Sequence, residues 1–112
     1  MQANTIILSI RESQAEEFER LFEAEELAVW HDLRDRGLLV AASLARVEFG
    51  SEETEGIRHY AIYAVFESMA GHSAHDDDAK FNAFLKVART FQPKPPLVFG
   101  GTLLFDARDG GR

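Results

Sequence analysis

The sequence predicts an α+β fold: one four-stranded antiparallel sheet with two helices on one of its faces, in the order β-α-β-β-α-β. Three observations lead there. Four stretches alternate at the two-residue period of strands. Two others carry apolar residues at helical spacing, bracketed by start and stop signals. The strands are apolar at both alternating sets of positions, so both faces of the sheet need a cover.

Thr5 to Ile10 reads as the first strand, rich in β-branched residues, with Ile6, Leu8 and Ile10 on one face. Ser13-Gln14-Ala15-Glu16 has the capping-box pattern and predicts one long helix from there to about Arg36. Phe18, Leu21, Phe22, Val29 and Leu33 form its apolar stripe. Glu16, Glu17, Glu19 and Glu23 crowd its first turns, where they suit the positive end of the dipole and read as a solvated face; Glu16 reads as a cap. Gly37 follows as the left-handed stop.

Leu38 to Phe49 is the second predicted strand. Leu39, Ala41, Ser43, Ala45 and Val47 are expected on one face, with Val40, Ala42, Leu44 and Arg46 on the other. Residues 50–56 form an acidic hairpin loop with a glycine at each end. Arg58 to Glu67 is the third strand, Tyr60, Ile62, Ala64 and Phe66 alternating with His59, Ala61, Tyr63 and Val65. Ser68 can cap a short turn that Gly71 is expected to loosen or break. Asp76-Asp77-Asp78 then opens a second helix, with Phe81, Phe84, Leu85, Ala88 and Phe91 on its apolar face. Pro93, Pro95 and Pro96 end that helix. Leu97 to Phe105 is the last strand. Gly100-Gly101 inside it suggests a bulge or a close backbone approach, and residues 106–112 read as a frayed tail.

Composition narrows the function classes. A chain of 112 residues fits one domain, expected to span 1–112. The net charge of −7 argues against a nucleic-acid partner and against an anionic membrane surface. No apolar run approaches the roughly 20 residues of a membrane helix. The start of the chain shows no basic region followed by an apolar run, so no signal peptide is expected. With no cysteine there is no disulfide, no thiolate nucleophile and no Cys-based metal site, which fits a cytoplasmic protein.

The element order is the ferredoxin-like, or split βαβ, motif. The second sheet face carries Ile7, Ala42, Leu44, Tyr63, Val65, Val98 and Leu104, and the simplest cover for it is a copy of the chain across a two-fold axis. Order, length, two-faced strands and helix-side Phe pattern together, over about Thr5 to Phe105, resemble the dimeric α+β barrel superfamily. That group includes antibiotic-biosynthesis-type monooxygenases, stress-responsive barrel proteins, YCII-like proteins and EthD-like proteins. The resemblance implies two sheets closing a barrel across a homodimer, with a pocket in each chain between sheet and helices. It assigns no subfamily, and no family catalytic residue is matched position by position.

The residues that could carry chemistry follow. His72 and His75, in the pattern His-x-x-His-Asp, fall on one side of a helical segment, and Asp76 or Asp78 could orient a ring. The plain alternative is a polar capping segment. A metal site needs further ligands, and nothing brings His31 or His59 to these two, so no metal is expected. Trp30, Tyr60, Tyr63, Phe81 and Phe84 are candidate pocket walls; each could equally serve the core or the dimer seam. Gly100-Gly101 lacks the lysine and helix start of a phosphate loop, and no nucleophile elbow is present. Two functions are therefore expected as alternatives. One is a cofactor-free oxygenase or isomerase acting on a small apolar or aromatic molecule, with His72 or His75 as proton acceptor. The other is a non-catalytic ligand-binding or stress-related dimer. Haem binding, implied by larger relatives, lacks a proximal-histidine context here.

Overall fold

The computed structural model describes residues 1–108. Four strands, β1 (Gln2–Arg11), β2 (Leu39–Arg46), β3 (Ile57–Phe66) and β4 (Leu97–Thr102), form one sheet in the order β2-β3-β1-β4. Every neighbouring pair is antiparallel. Four helical segments, α1 (Ala15–Ala24), α2 (Glu26–Asp35), α3 (Met69–Asp76) and α4 (Ala79–Ala88), pack on one face. The predicted architecture is present; the first predicted helix is divided in two, and the short turn expected after Ser68 is a full helix, α3, ahead of the second.

The division falls at Glu25, whose φ of −112° and ψ of −62° depart from helical values. Hydrogen bonds from Glu25 to Leu21 and from Val29 to Glu25 carry the ladder across it, so the chain bends without stopping. The capping box is not made. A 3-10 turn at Glu12–Gln14 precedes α1, the Ala15 amide donates to the Glu12 carbonyl, and α1 has no side-chain cap. The stop at Gly37 is as expected, with φ +76°.

The turn expected to loosen or break at Gly71 instead continues through it, so that Gly71 lies inside α3. A Cβ there would come within 2.5 Å of the Leu38 carbonyl oxygen, so the glycine permits a close approach of helix to chain. Asp78 caps α4 by accepting from the Phe81 amide at 2.8 Å.

The core lies between sheet and helices. Phe18 is fully buried against Tyr60, ring centroids 4.9 Å apart, and Phe22 meets Trp30 and Phe84 edge-on at 5.1 and 5.6 Å. From the sheet come Leu8, Ile10, Tyr60, Ile62, Ala64 and Phe66. On β2 the predicted phase is corrected. The pairing slips between Leu39 and Ala41, so Leu39 pairs with Phe66 while Ala42 pairs with Ala64 and Leu44 with Ile62. One extra residue therefore puts Leu39, Ala42 and Leu44 on the same, helix-facing side. In β4 the predicted phase is also corrected: Val98 pairs with Ile6 and lines the helix side, while Leu97 and Phe99 fall on the second face. Gly100 pairs with Asn4, and a Cβ there would lie 3.1 Å from the Asn4 Oδ1; this is a close approach and not a bulge, because the register is unbroken. Of the expected tail, Asp106 and Arg108 form an ion pair, and 109–112 lie outside the described residues.

Candidate functional site

Between sheet and helices lies a cavity of about 420 Å³ with mostly apolar walls. Ile6 and Leu8 of β1 and Ile62 and Phe66 of β3 form its sheet side. Phe22, Trp30, Phe81 and Phe84 form its helix side. A polar group interrupts this lining: Glu26 from the first turn of α2, His72, His75 and Asp76 from α3, and Asn4 from β1; Asn82, Arg89 and Gln92 are further polar residues of the wall. A larger concavity, of about 510 Å³, lies under the hairpin loop. Its walls are exposed residues such as Glu52, Glu53 and Glu55, and no acid, base and nucleophile converge there.

The polar group is one connected network. The Glu26 Oε2 lies 2.8 Å from the His75 Nε2. The His75 Nδ1 lies 3.0 Å from Asp76 Oδ1, and the other Asp76 oxygen is 3.2 Å from the His72 Nε2. The His72 Nδ1 reaches the Gln2 Oε1 at 3.0 Å, and Gln2 and Asn4 exchange amide hydrogen bonds at 2.7 and 2.8 Å. Asn4 Nδ2 also donates to the Ala64 carbonyl. His72 stacks on Phe66 with ring centroids 5.1 Å apart, and His75 packs against Phe81 at 4.0 Å. A path of polar contacts thus runs from the buried Glu26 to Asp76, whose side chain is half exposed.

Glu26 and His75 are 4% and 9% exposed, so each is costly as an isolated charge. Burial raises the Glu26 carboxyl above its ordinary range, against the opposing bond from His75. Burial alone would lower the His75 imidazole, but the bond to Glu26 and its charge, followed by Asp76, outweigh it and raise the value. Both shifts describe one proton held between Oε2 and Nε2, since the pair titrates as a unit. Asp76, beside Nδ1, fixes the ring's orientation by accepting that N–H. The second Glu26 oxygen, Oε1, is buried without a partner from the protein, and such a group costs on the order of 1–3 kcal/mol.

The candidates read from the sequence are placed as follows. His72, His75, Trp30, Phe81 and Phe84 line the cavity. Tyr60 and Tyr63 do not. Tyr60 is buried beside α1 and its hydroxyl donates to Glu19, a carboxylate that Arg46 also contacts at 2.8 Å. The Tyr60 bond first, and then Arg46, hold the Glu19 carboxyl below its ordinary range. Glu19 is therefore a partner in a structural cluster and not part of a plain solvated face. Tyr63 points to the opposite side of the sheet and is 43% exposed. His31 is exposed on α2, and His59 lies on the far sheet face. Among the described residues, no three His, Cys, Asp or Glu side chains come together as metal ligands.

Glu26, Asn4 and Gln2 are missing from the sequence-based candidates, although a signal existed. Glu26 falls four residues after Phe22 and four before Trp30, on the apolar stripe itself. Asn4 continues the Ile6, Leu8, Ile10 alternation. A polar residue on a buried stripe demands a partner.

No protein-family model matches the sequence, and no curated protein does. Solved structures do resemble it. A crystal structure of an antibiotic biosynthesis monooxygenase superposes with a TM-score of 0.70 at 14% identity, over 93% of this chain and 99% of that one. HapK from Hahella chejuensis gives 0.70 at 17% identity, over 93% of each chain. A dimeric ferredoxin-like protein of unknown function from Jannaschia sp. CCS1 gives 0.70 at 11% identity, over 92% of this chain and 100% of that one. At these identities the likeness concerns fold alone: the chain has the ferredoxin-like fold that these structures share.

Proposed function

We propose that this protein is a homodimer that binds a small apolar or aromatic molecule between sheet and helices and acts on it as a cofactor-free oxygenase or isomerase. The observation that carries the proposal is the apolar cavity with the buried Glu26–His75 pair in its wall, linked through Asp76 to solvent. The step common to both reactions is removal of a proton from the bound molecule. That proton enters the Glu26–His75 pair, and a proton leaves through Asp76 to water. In an isomerase the resulting anion takes a proton back at a different atom. In a monooxygenase it gives its electrons to dioxygen: a methylene and dioxygen become a carbonyl and water, the substrate supplying every electron. His75 is the proton relay, His72 supports it through Asp76, and Trp30, Phe81 and Phe84 hold the ring.

The dimer is supported by the uncovered sheet face. Tyr63, Leu97 and Phe99 are 43%, 53% and 61% exposed there. The Jannaschia protein of the same fold is dimeric. A cytoplasmic location fits a chain without cysteine.

A second function, ligand binding without turnover, is favoured by one specific feature: the nitrogens of His72 and His75 already face a carboxylate or amide oxygen. Deuterium exchange at C1 of 2-naphthol in D2O separates the two. It requires loss of the O–H proton and reprotonation at carbon. Catalysis predicts that the protein accelerates exchange and that His75→Gln, which keeps a donor toward Glu26, loses about a hundredfold of that acceleration. Binding of 2-naphthol with no acceleration leaves the non-catalytic function; an unchanged rate in His75→Gln removes His75 from the mechanism.

A further inference from the structure

The proton shared by Glu26 and His75 lies between Oε2 and Nε2, 2.8 Å apart. Whichever atom holds it, Glu26 Oε1 carries no hydrogen. It is one oxygen of a carboxylate beside an imidazolium, or the carbonyl oxygen of an acid beside an imidazole, and in both states it accepts. The structure gives it no donor, although Glu26 is 4% exposed and lines the cavity. The neighbouring imidazoles cannot serve a ligand's donor directly, because their nitrogens are engaged. Gln92 Oε1 is a second unpartnered acceptor along the lining, on a half-buried side chain whose amide nitrogen donates to the Ala88 carbonyl. Of the other polar groups in the wall, Asn4 and Asp76 are engaged in the network, the Asn82 amide donates to the Asp76 and Asp78 carbonyls, and Arg89 carries only donors; Trp30 and Phe81 are aromatic.

We infer that Glu26 Oε1 is the recognition atom of this cavity, and that its ligand is a ring-sized apolar molecule carrying a hydroxyl or N–H donor that closes on Glu26. The inference rests on the cavity being the ligand site and adds which end of the ligand meets which atom. It also sets specificity. A ligand that presents an ether or carbonyl oxygen places acceptor against acceptor and leaves both unpaired, which a buried site rejects strongly. Glu26, not a histidine, then receives the ligand's proton first, and His75 passes it on.

The test is a titration of the wild-type protein with 2-naphthol and, separately, with 2-methoxynaphthalene, equal in ring and different in that one hydrogen. The indole N–H of Trp30, the single tryptophan, reports by NMR from the cavity wall. We expect 2-naphthol to bind about tenfold or more tightly, as a hydrogen bond to a charged acceptor allows. Glu26→Gln keeps an oxygen for His75 and turns an amide N–H₂ toward the ligand, so the preference should fall to parity or invert. Equal binding of the two probes by the wild type overturns the inference and leaves the cavity as a ligand site. A preference that survives Glu26→Gln overturns it as well, by placing the acceptor elsewhere. Binding of neither probe overturns both the inference and the proposed function. If Glu26→Gln does not fold, the wild-type ratio decides alone.

Discussion

The two faces of this sheet are built from similar residues and meet opposite fates. Toward the helices, Leu8, Ile10, Tyr60 and Phe66 are buried under Phe18, Phe22 and Phe84. On the other side, Tyr63, Leu97 and Phe99 stand exposed although they alternate with the same regularity. Hydrophobic alternation therefore states that a face must be covered, and it does not state by what. The covered face also holds a buried network of titratable groups, at Glu26 and His75. A face closed by its own chain can shape a cavity around such a pair; a face closed by a copy contributes assembly.

The largest effect expected from breaking this contrast is on the covered face. Phe18→Ala should cost about 3–5 kcal/mol, because a fully buried ring leaves a cavity behind. Urea unfolding would show that loss at every protein concentration. Phe99→Ala should show a loss that grows with protein concentration, because the proposed cover of this exposed ring is a second chain. Gly71→Ala should follow, at about 1–3 kcal/mol, as α3 is pushed off the Leu38 carbonyl. Alanine tolerated there without loss would mean that α3 is held less tightly than its contacts indicate.

The buried pair makes the covered face sensitive to pH. The folded values of both His75 and Glu26 are raised, so folding takes up protons at the pair. The contribution is complete below the ordinary carboxyl value of 4.5; the Glu26 part is lost as pH rises from there, and the His75 part from 6.5 through its higher folded value. The urea midpoint should decline across that window, and His75→Gln should flatten the decline. A midpoint that rises with pH there would contradict a shared, buried proton. The smallest effect is at the α4 cap: Asp78→Ala should cost about 1 kcal/mol in the same unfolding measurement.

Most of the fold was legible because it rests on local signals. The Phe18, Phe22, Val29 and Leu33 stripe, the stop at Gly37 and the strand alternation each need only a few neighbouring residues. What escaped depends on distant partners. The bend at Glu25 carries neither glycine nor proline to announce it. The slip between Leu39 and Ala41 is set by pairing with β3, and Gly71 looked like a helix breaker because the Leu38 carbonyl it admits lies on another segment. At the site, the histidines were visible and their carboxylate was not. Glu26 is 49 residues away from His75, and acidic helix residues are ordinarily solvated. Its place on the apolar stripe was the available clue.

The division of labour between the two faces is tested most directly by sedimentation of the wild type and of Phe99→Asp at micromolar concentration. A sheet whose second face is covered by a copy predicts a wild-type species of twice the chain mass. It predicts a monomer for Phe99→Asp that keeps its secondary structure, because a charge in the seam loses its water without gaining a partner. A wild-type protein that sediments as a stable monomer, with Tyr63, Leu97 and Phe99 left in water, would contradict it.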